Sequence, residues 1–226
     1  GYFFSRTAFT PPFFHVLSEW YVCLTGVLRR RFMGIRAFQE SDIEAAGQMA
    51  HDIWAYELEG TRPELNRFIH EYLVRYYDVN RHLSFSVVDD GLDAFLLAGL
   101  KADRSGCDDW FCRKLSFFPD KEKKIAQEYR NYLTRNGDAV KKFMEENDVQ
   151  MGLFMSRVSG TGRMLLDNLE RICRKNGVGN LFLWADVTCN VPYYEKNGFT
   201  VVDRFENDVS LDTGCLDTYV FRKKLD

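Results

Sequence analysis

The segment 149–175 constrains this chain more than any other, because an apolar run, a glycine-containing turn and an amphipathic helix follow one another there. The run at 149–155 predicts a buried strand. Behind the turn, apolar side chains recur with the period of one helix face, at Leu165, Leu169, Ile172 and Cys173. Basic residues followed by Gly177 are typical of a helix end. The turn at 157–162 is therefore predicted to lie at a helix N-terminus.

This turn has the properties of an anion site. A helix N-terminus offers backbone N–H groups without intrahelical acceptors, together with the positive end of the helix dipole. Gly160 and Gly162 carry no Cβ, so the main chain can approach a phosphate closely. Arg163 stands where an ATP-binding P-loop has its Lys-Ser/Thr ending, and the three glycines of a dinucleotide fingerprint are not present. We predict a pyrophosphate site, with a plain tight turn as the alternative.

The remaining pattern, Arg157-x-x-Gly160-x-Gly162, resembles the acyl-CoA-binding motif of the GNAT superfamily of N-acyltransferases, Gln/Arg-x-x-Gly-x-Gly/Ala. A second segment, from Asn190 to Phe199, resembles the late signature of that family. This signature is a short helix bearing Tyr-Glu-Lys-x-Gly-Phe before the sixth strand, and here its tyrosine is Tyr194. The resemblance covers 34–226 apart from a polar, helix-rich insertion at about 102–148.

Hydrophobic periodicity predicts the order β-α-α-β-β, a helical insertion, and then β-α-β-α-β-β, which is the order of the GNAT family. The strands are predicted at 35–38, 84–88, 92–98, 149–155, 181–185, 199–204 and 219–221. Capping pairs Ser41–Glu44 and Thr61–Glu64 predict the first two helix starts. Within the insertion we predict one helix through Ile125, Tyr129 and Leu133 and another through Val140, Phe143 and Met144.

The fold class implied by the resemblance is α/β, as a three-layer α+β arrangement. A central mixed, mostly antiparallel sheet is flanked by helices, and the helical insertion lies between strands 3 and 4. Residues 33–226 are predicted to form a single acetyltransferase domain, and 1–32 an N-terminal extension of uncertain status. Its apolar stretch at 16–28 is shorter than the ~20 residues that span a bilayer. Its arginines follow that stretch, unlike those of a secretory signal.

Charge and cysteine usage exclude several classes of protein. The formal net charge of −3 argues against a nucleic-acid-binding surface. Six cysteines form no C-x-x-C pair and four histidines form no H-E-x-x-H, so we expect no metal. Irregular cysteine spacing favours a reducing cytoplasm over a disulfide framework. We expect a cytoplasmic protein with neither a nucleic-acid nor a membrane partner.

The resemblance implies transfer of an acetyl group from acetyl-CoA to a primary amine, by direct attack in a ternary complex. It implies that Tyr194 is the general acid for the departing thiolate, and that a backbone N–H at the end of the fourth strand binds the thioester carbonyl. Arg157 and Arg163 are expected to offset phosphate charge or to be solvated, and Asn190 to contact the cofactor or cap the short helix. The expected cofactor-binding residues are Leu153, Phe154, Met155, Arg157, Val158, Ser159, Gly160, Thr161, Gly162, Arg163, Asn190 and Tyr194.

Several roles stay open at this stage. The fourth strand carries no glutamate, so the candidate general bases are Asp186, Asp52, Glu57 and Glu59. Cys189 is the candidate nucleophile of an alternative ping-pong scheme, although no histidine lies in a motif that would activate it. The acceptor is expected to be a small-molecule or peptide amine, and a homodimer is left open. The alternative from a different class is a non-catalytic GNAT-fold protein that binds CoA or a regulatory protein partner.

Overall fold

The computed structural model describes residues 34–54, 61–209 and 214–225, which lie in one compact unit, Phe32–Asp226. The expectations for 1–32 and the base candidates Glu57 and Glu59 fall outside the described residues. Within them, seven strands and six helices follow the predicted order. The strands are β1 (Gly34–Ala37), β2 (Phe85–Val88), β3 (Leu92–Leu100), β4 (Val149–Ser156), β5 (Asn180–Asp186), β6 (Thr200–Val209) and β7 (Gly214–Lys224). The helices are α1 (Ile43–Trp54), α2 (Pro63–Tyr77), α3 (Asp108–Leu115), α4 (Asp120–Lys141), α5 (Thr161–Lys175) and α6 (Val191–Lys196).

The seven strands form one sheet in the order β1-β2-β3-β4-β5-β7-β6. Only β4 and β5 run parallel, while all other neighbours are antiparallel. Side chains of α1 to α4 cover one face of the sheet, and α5 and α6 cover the other. The predicted three-layer architecture with a mixed, mostly antiparallel sheet is therefore confirmed.

The two faces are separated by the alternation of side chains along β3. Phe95 and Leu97 pack with the helices α1 to α4, whereas Leu96 and Ala98 pack with α5. Successive residues of a strand point to opposite faces, so these apolar neighbours in sequence serve two different cores. A strand that is apolar on both faces must be central in the sheet, and β3 is.

An extra residue in β4 changes which side chains face each core. Leu97 of β3 lies opposite Leu153, and the next residue, Ala98, lies opposite Met151, so Gly152 is a bulge. Met151 consequently packs with α5, while Leu153, two residues later, packs with the helices of the opposite face. The bulge re-aims the end of the strand that carries the predicted site.

The strands β4 and β5 separate soon after they pair. Their parallel pairing comprises only Val149 with Leu181 and Gln150 with Phe182. Tyr77, at the end of α2, lies where they diverge. Its ring covers Gly152, and its hydroxyl accepts a hydrogen bond from Trp184 Nε1 of β5 at 2.9 Å. The sheet therefore opens toward the C-terminal ends of β4 and β5.

The insertion differs from its prediction in two respects. A single long helix, α4, runs to Lys141, so Phe143 and Met144 follow its end rather than forming a second helix. The unpredicted helix α3 carries Phe111, whose ring lies 4.4 Å from that of Tyr72 on α2. The local sequence has only a weak helical pattern, so periodicity alone does not predict α3. Burial of the aromatic contact with α2 stabilises the helix instead.

The predicted capping pairs are also replaced. Before α1, a 3-10 turn at Glu40–Asp42 begins the helical segment, and Asp42 accepts a hydrogen bond from the backbone N–H of Gln39 at 2.9 Å. Before α2, the cap residue is Arg62, with no side-chain cap, and Pro63 opens the helix. Asp42 thus completes a capping box with the N-cap residue Gln39, and its carboxylate also binds Arg36 at 2.6 Å, which fixes it against β1.

We predict that Gly152→Ala destabilises the protein by about 1–3 kcal/mol, as overpacked core positions do. A Cβ at this position would lie 2.1 Å from Cδ1 of Tyr77, so the ring or the bulge must move. Gly137→Ala in α4 is the matched control. Its Cβ would meet nothing closer than Tyr76 Oη at 3.7 Å, and replacing a helical glycine stabilises by up to about 1 kcal/mol. The measurement is urea unfolding, and a Gly152→Ala variant as stable as the wild type would contradict the assigned packing.

Candidate functional site

The turn between β4 and α5 is held closed by two hydroxyl groups. Ser156 Oγ and Thr161 Oγ1 lie 2.7 Å apart, and both donate to the carbonyl of Val158, at 2.9 and 2.7 Å. Gly160 is the N-cap of α5, with φ +87° and ψ −24°. A side chain is strained in this left-handed region, so glycine is required for the backbone conformation itself.

This geometry leaves a row of donors at the start of α5. The backbone N–H groups without an acceptor in the described part of the chain are those of Val158, Ser159, Gly160, Gly162 and Arg163. Two members of the predicted set are engaged elsewhere: Arg157 N–H donates to Asp93 at 2.8 Å, and Thr161 N–H donates to Val158 at 3.2 Å. The turn therefore concentrates donors at a helix N-terminus, but through fewer of the residues 157–162 than the sequence predicted.

The two glycines of the motif have different roles. A Cβ at Gly160 would meet no atom within 4 Å, so the surface beside it is open. A Cβ at Gly162 would lie 3.3 Å from Cζ of Phe154, so this glycine allows β4 and α5 to pack closely. The first glycine provides backbone conformation and access, and the second provides packing.

Both arginines of the motif are exposed and already have acidic partners. Arg157 Nη2 lies 2.5 Å from Asp52 Oδ2 of α1. Arg163 Nε lies 2.8 Å from Asp167, and its Nη1 donates to Asn197 Oδ1 at 2.6 Å. Exposed pairs of this kind are weak, so an anion at the turn can compete for either guanidinium.

Tyr194 lies on α6 among aromatic rings. Its ring centroid is 5.7 Å from that of Phe221 on β7 and 6.0 Å from that of Phe199. Burial raises the pKa of its phenol well above the usual value, and the nearby Cys189 and Asp186 raise it further. The hydroxyl is protonated at neutral pH, as any phenol is, and the raised pKa makes it a weaker acid than a solvated tyrosine. The preceding Tyr193 reaches β4, with its ring 5.8 Å from Phe154.

Asp186, a candidate base, is buried at the end of β5 and accepts several hydrogen bonds. Tyr132 Oη donates to Oδ2 at 2.5 Å, and Thr188 donates to Oδ1 through its N–H at 2.9 Å and its hydroxyl at 2.6 Å. Burial and the adjacent carboxylate raise the pKa of Tyr132 well above normal, so it remains the donor. Tyr132 belongs to α4, and sequence reasoning did not connect the insertion with this site. The only available signal was its position three residues after Tyr129 on the apolar stripe.

The remaining candidates lie nearby with less defined roles. Cys189 is partly buried in the turn after β5, whereas the described histidines lie elsewhere, on α1, on α2 and before β2. His70 is buried and its pKa is lowered to about 4, so it is neutral at physiological pH. Asn190 is the N-cap of α6 but makes no side-chain cap, contrary to the capping alternative.

The described residues contain neither a metal-binding cluster nor a membrane-spanning helix. In 34–54, 61–209 and 214–225, no three or more His, Cys, Asp or Glu side chains are grouped so that they could hold a metal ion. Among the helices described, none has the length and apolar character needed to cross a bilayer.

Comparison with solved structures identifies the fold. An acetyltransferase of the GNAT family from Staphylococcus aureus Mu50 superposes with a TM-score of 0.50 at 11% identity, covering 86% of this chain and 99% of the other. The ribosomal-protein-S18-alanine N-acetyltransferase from Escherichia coli gives a TM-score of 0.47 at 15% identity, covering 85% and 94%. The PaiA N-acetyltransferase from Thermoplasma acidophilum, in complex with coenzyme A, gives 0.46 at 15% identity, covering 85% and 98%. Neither protein-family models nor curated proteins match the sequence. The chain has the GNAT fold, as predicted.

We predict that Tyr132→Phe lowers the free energy of unfolding by about 1–3 kcal/mol, because the buried Asp186 carboxylate loses a donor that water cannot easily replace. Thr188→Val removes another hydroxyl donor from Asp186 at a partly exposed position, so its loss should be smaller. Urea unfolding of both variants makes the comparison. Equal stability of Tyr132→Phe and the wild type would show that the insertion does not fix Asp186.

Proposed function

We propose that this chain is an N-acetyltransferase that transfers the acetyl group of acetyl-CoA to a primary amine by direct attack in a ternary complex. The proposal rests on the position of the donor row and of helix α6 at the same gap in the sheet. The donor row at 158–163 lies beside the gap between β4 and β5. Helix α6, with Tyr194, lies along the same gap, in contact with β4 through Tyr193 and with β7 through Tyr194.

The residues present fit a CoA pyrophosphate. Its charge would be met by the N–H groups of Val158, Ser159, Gly160, Gly162 and Arg163, none of which has an acceptor in the described structure. The open surface beside Gly160 allows close approach of a phosphate. Arg157 and Arg163 are exposed at the two sides of this row and would add positive charge. Asn190, exposed at the start of α6, would contact the cofactor further along.

The chemistry requires few groups from the protein. When bound, acetyl-CoA supplies an acetyl group activated as a thioester. Beyond Gln150, the edge of β4 that faces β5 is not paired with it, and an N–H of Leu153, Phe154 or Met155 would stabilise charge on the thioester carbonyl oxygen. Tyr194 Oη would donate its proton to the leaving sulfur, whose thiol has a pKa of ~8.5 in its free form.

Asp186 is the better of the two described base candidates. Asp52 is engaged by a charged partner, the guanidinium of Arg157. Asp186 accepts hydrogen bonds only from uncharged groups, those of Tyr132 and Thr188. We propose that the amine proton reaches Asp186 through water. The acceptor itself is a small-molecule or peptide amine.

Binding of acetyl-CoA tests the cofactor site. We expect Gly160→Ala to weaken acetyl-CoA binding by about tenfold or more, because its methyl group enters the surface beside the donor row and its backbone conformation is disfavoured. Gly177→Ala is the matched control. It also replaces a glycine of positive φ, at +70°, with open space around it, but at the far end of α5. Both variants should lose similar stability, and only the first should lose affinity by calorimetry. Absence of binding by the wild type would overturn the cofactor assignment.

Turnover tests the general acid. We expect Tyr194→Phe to lower kcat by about 10²- to 10⁴-fold, the range for loss of a positioned acid, with acetyl-CoA affinity preserved. Tyr193→Phe removes the neighbouring hydroxyl, which has no hydrogen-bond partner in the described structure, and should leave kcat unchanged. The assay is release of CoA thiol against a panel of small amines and peptide N-termini. Unchanged kcat in Tyr194→Phe would remove this tyrosine from the mechanism. Binding of acetyl-CoA without acetylation of any amine would favour the non-catalytic alternative.

A further inference from the structure

A second concave site lies away from the donor row, beneath the insertion. It is a cavity of about 360 Å³ between α2, α4 and the paired ends of β3 and β4. Its residues on β4 are Gln150 and Gly152, whereas the donor row begins after Ser156 at the other end of that strand. Tyr77 forms part of its wall. Its hydroxyl accepts a hydrogen bond from Trp184 of β5, so the Tyr77 side chain stands between the cavity and that strand. The cavity is therefore separate from the gap between β4 and β5.

The cavity is lined by more positive than negative groups that are available to a ligand. Asp108 is paired with Arg130 at 2.7 Å. Asp103 accepts hydrogen bonds from Asn80 at 2.9 Å and from the N–H of Leu100 at 2.8 Å. Both carboxylates of the lining are thus engaged by protein donors.

Two cations of the lining form no such direct pair. Among the described residues, neither Lys141 nor Arg104 forms an ion pair with a carboxylate. Arg104 donates only to the carbonyl oxygens of Lys101 and Asp103, at 2.7 and 2.9 Å. Burial and the charge of Arg104 lower the pKa of the Lys141 ammonium, and the carboxylates of Asp138 and Asp103 offset this only in part. An anion between them would relieve both the burial cost and the repulsion.

A buried amide in the same cavity also lacks a partner. Gln150 is 8% exposed, and its Nε2 has no acceptor in the described structure. Buried donors of this kind are rare in folded proteins, because a donor removed from water without a new acceptor destabilises the fold. Because Gln150 also lines the cavity, a ligand with an acceptor atom would complete the hydrogen bonding of this amide once its side chain turns toward the ligand. Tyr76 and Val79 supply apolar surface beside it.

We infer that this cavity binds a small organic anion, whose carboxylate or phosphate group lies between Lys141 and Arg104 and which offers an acceptor to Gln150. The volume is at the lower end of small-molecule sites, about 300–1,000 Å³. An inorganic ion would leave the apolar wall uncovered, so the ligand has an organic body. This site goes beyond the proposed acetyl transfer and does not depend on it.

Calorimetric titration of the full chain tests the inference, with citrate and L-glutamate as carboxylate probes, glycerol 3-phosphate as a phosphate ester, and inorganic phosphate as an anion without an organic body. We expect saturable binding of at least one organic probe, with inorganic phosphate weaker. Lys141→Met should weaken that binding by about tenfold or more, the effect of losing one charged hydrogen bond. Lys142→Met makes the same change at the adjacent exposed lysine and should leave the affinity unchanged.

Controls for folding and for binding at the CoA site accompany the titration. Thermal unfolding without ligand shows that each variant is folded, and Gln150→Leu, which removes the orphan amide while keeping an apolar volume, should also weaken binding. Saturating CoA should leave the affinity for the probe unchanged. Failure of all three organic probes to bind saturably would overturn the inference, as would equal weakening by Lys141→Met and Lys142→Met, or displacement of the probe by CoA. Failure of acetyl-CoA to bind would overturn the proposed function alone.

Discussion

The extra residue in β4 is the constraint on which the candidate site depends. Gly152 has no side chain, so the ring of Tyr77 can lie directly on the strand. The bulge at this residue reverses which face the following side chains occupy, so that Leu153 faces the core of α1 to α4. The divergence of β4 from β5 begins at the same level of the sheet. A bulkier residue at this position would meet the ring of Tyr77.

Packing around the gap explains why its two walls carry different chemistry. The turn after β4 is fixed by hydroxyl contacts of Ser156 and Thr161 to its own backbone. Five N–H groups of this segment, at 158–160, 162 and 163, have no acceptor in the described structure. The other wall is aromatic: Tyr194 rests on Phe199 and Phe221, and burial among them raises the pKa of its phenol. A rigid row of donors and a protonated phenol are the two features that acyl transfer from a thioester would use.

Local patterns in the sequence were sufficient for the element order and the position of the turn, and the resemblance to the GNAT family supplied the sheet class. Amphipathic periods such as that of Leu165, Leu169 and Cys173 depend only on neighbouring residues, and the helix they predict is α5. Contacts between segments that are distant in sequence could not be predicted from such local patterns. The bulge depends on Tyr77, which is far from Gly152 in sequence, and the engagement of Asp186 depends on Tyr132 in the insertion. Likewise, the loss of the Arg157 N–H from the donor set follows from its bond to Asp93, a residue of another strand.

The short pairing of β4 with β5 has a mechanical consequence. Only two residue pairs join the strands β1 to β4 with the strands β5 to β7 through backbone hydrogen bonds, so the sheet is weakest along this line. Helix α4 crosses it: Leu133 packs in the core of α1 and α2, Tyr132 binds Asp186 of β5, and Asn136 accepts a hydrogen bond from Asn207 of β6 at 2.5 Å. The insertion therefore acts as a brace across the seam of the sheet, and a force or a denaturant that detaches α4 would let the two halves move as separate bodies.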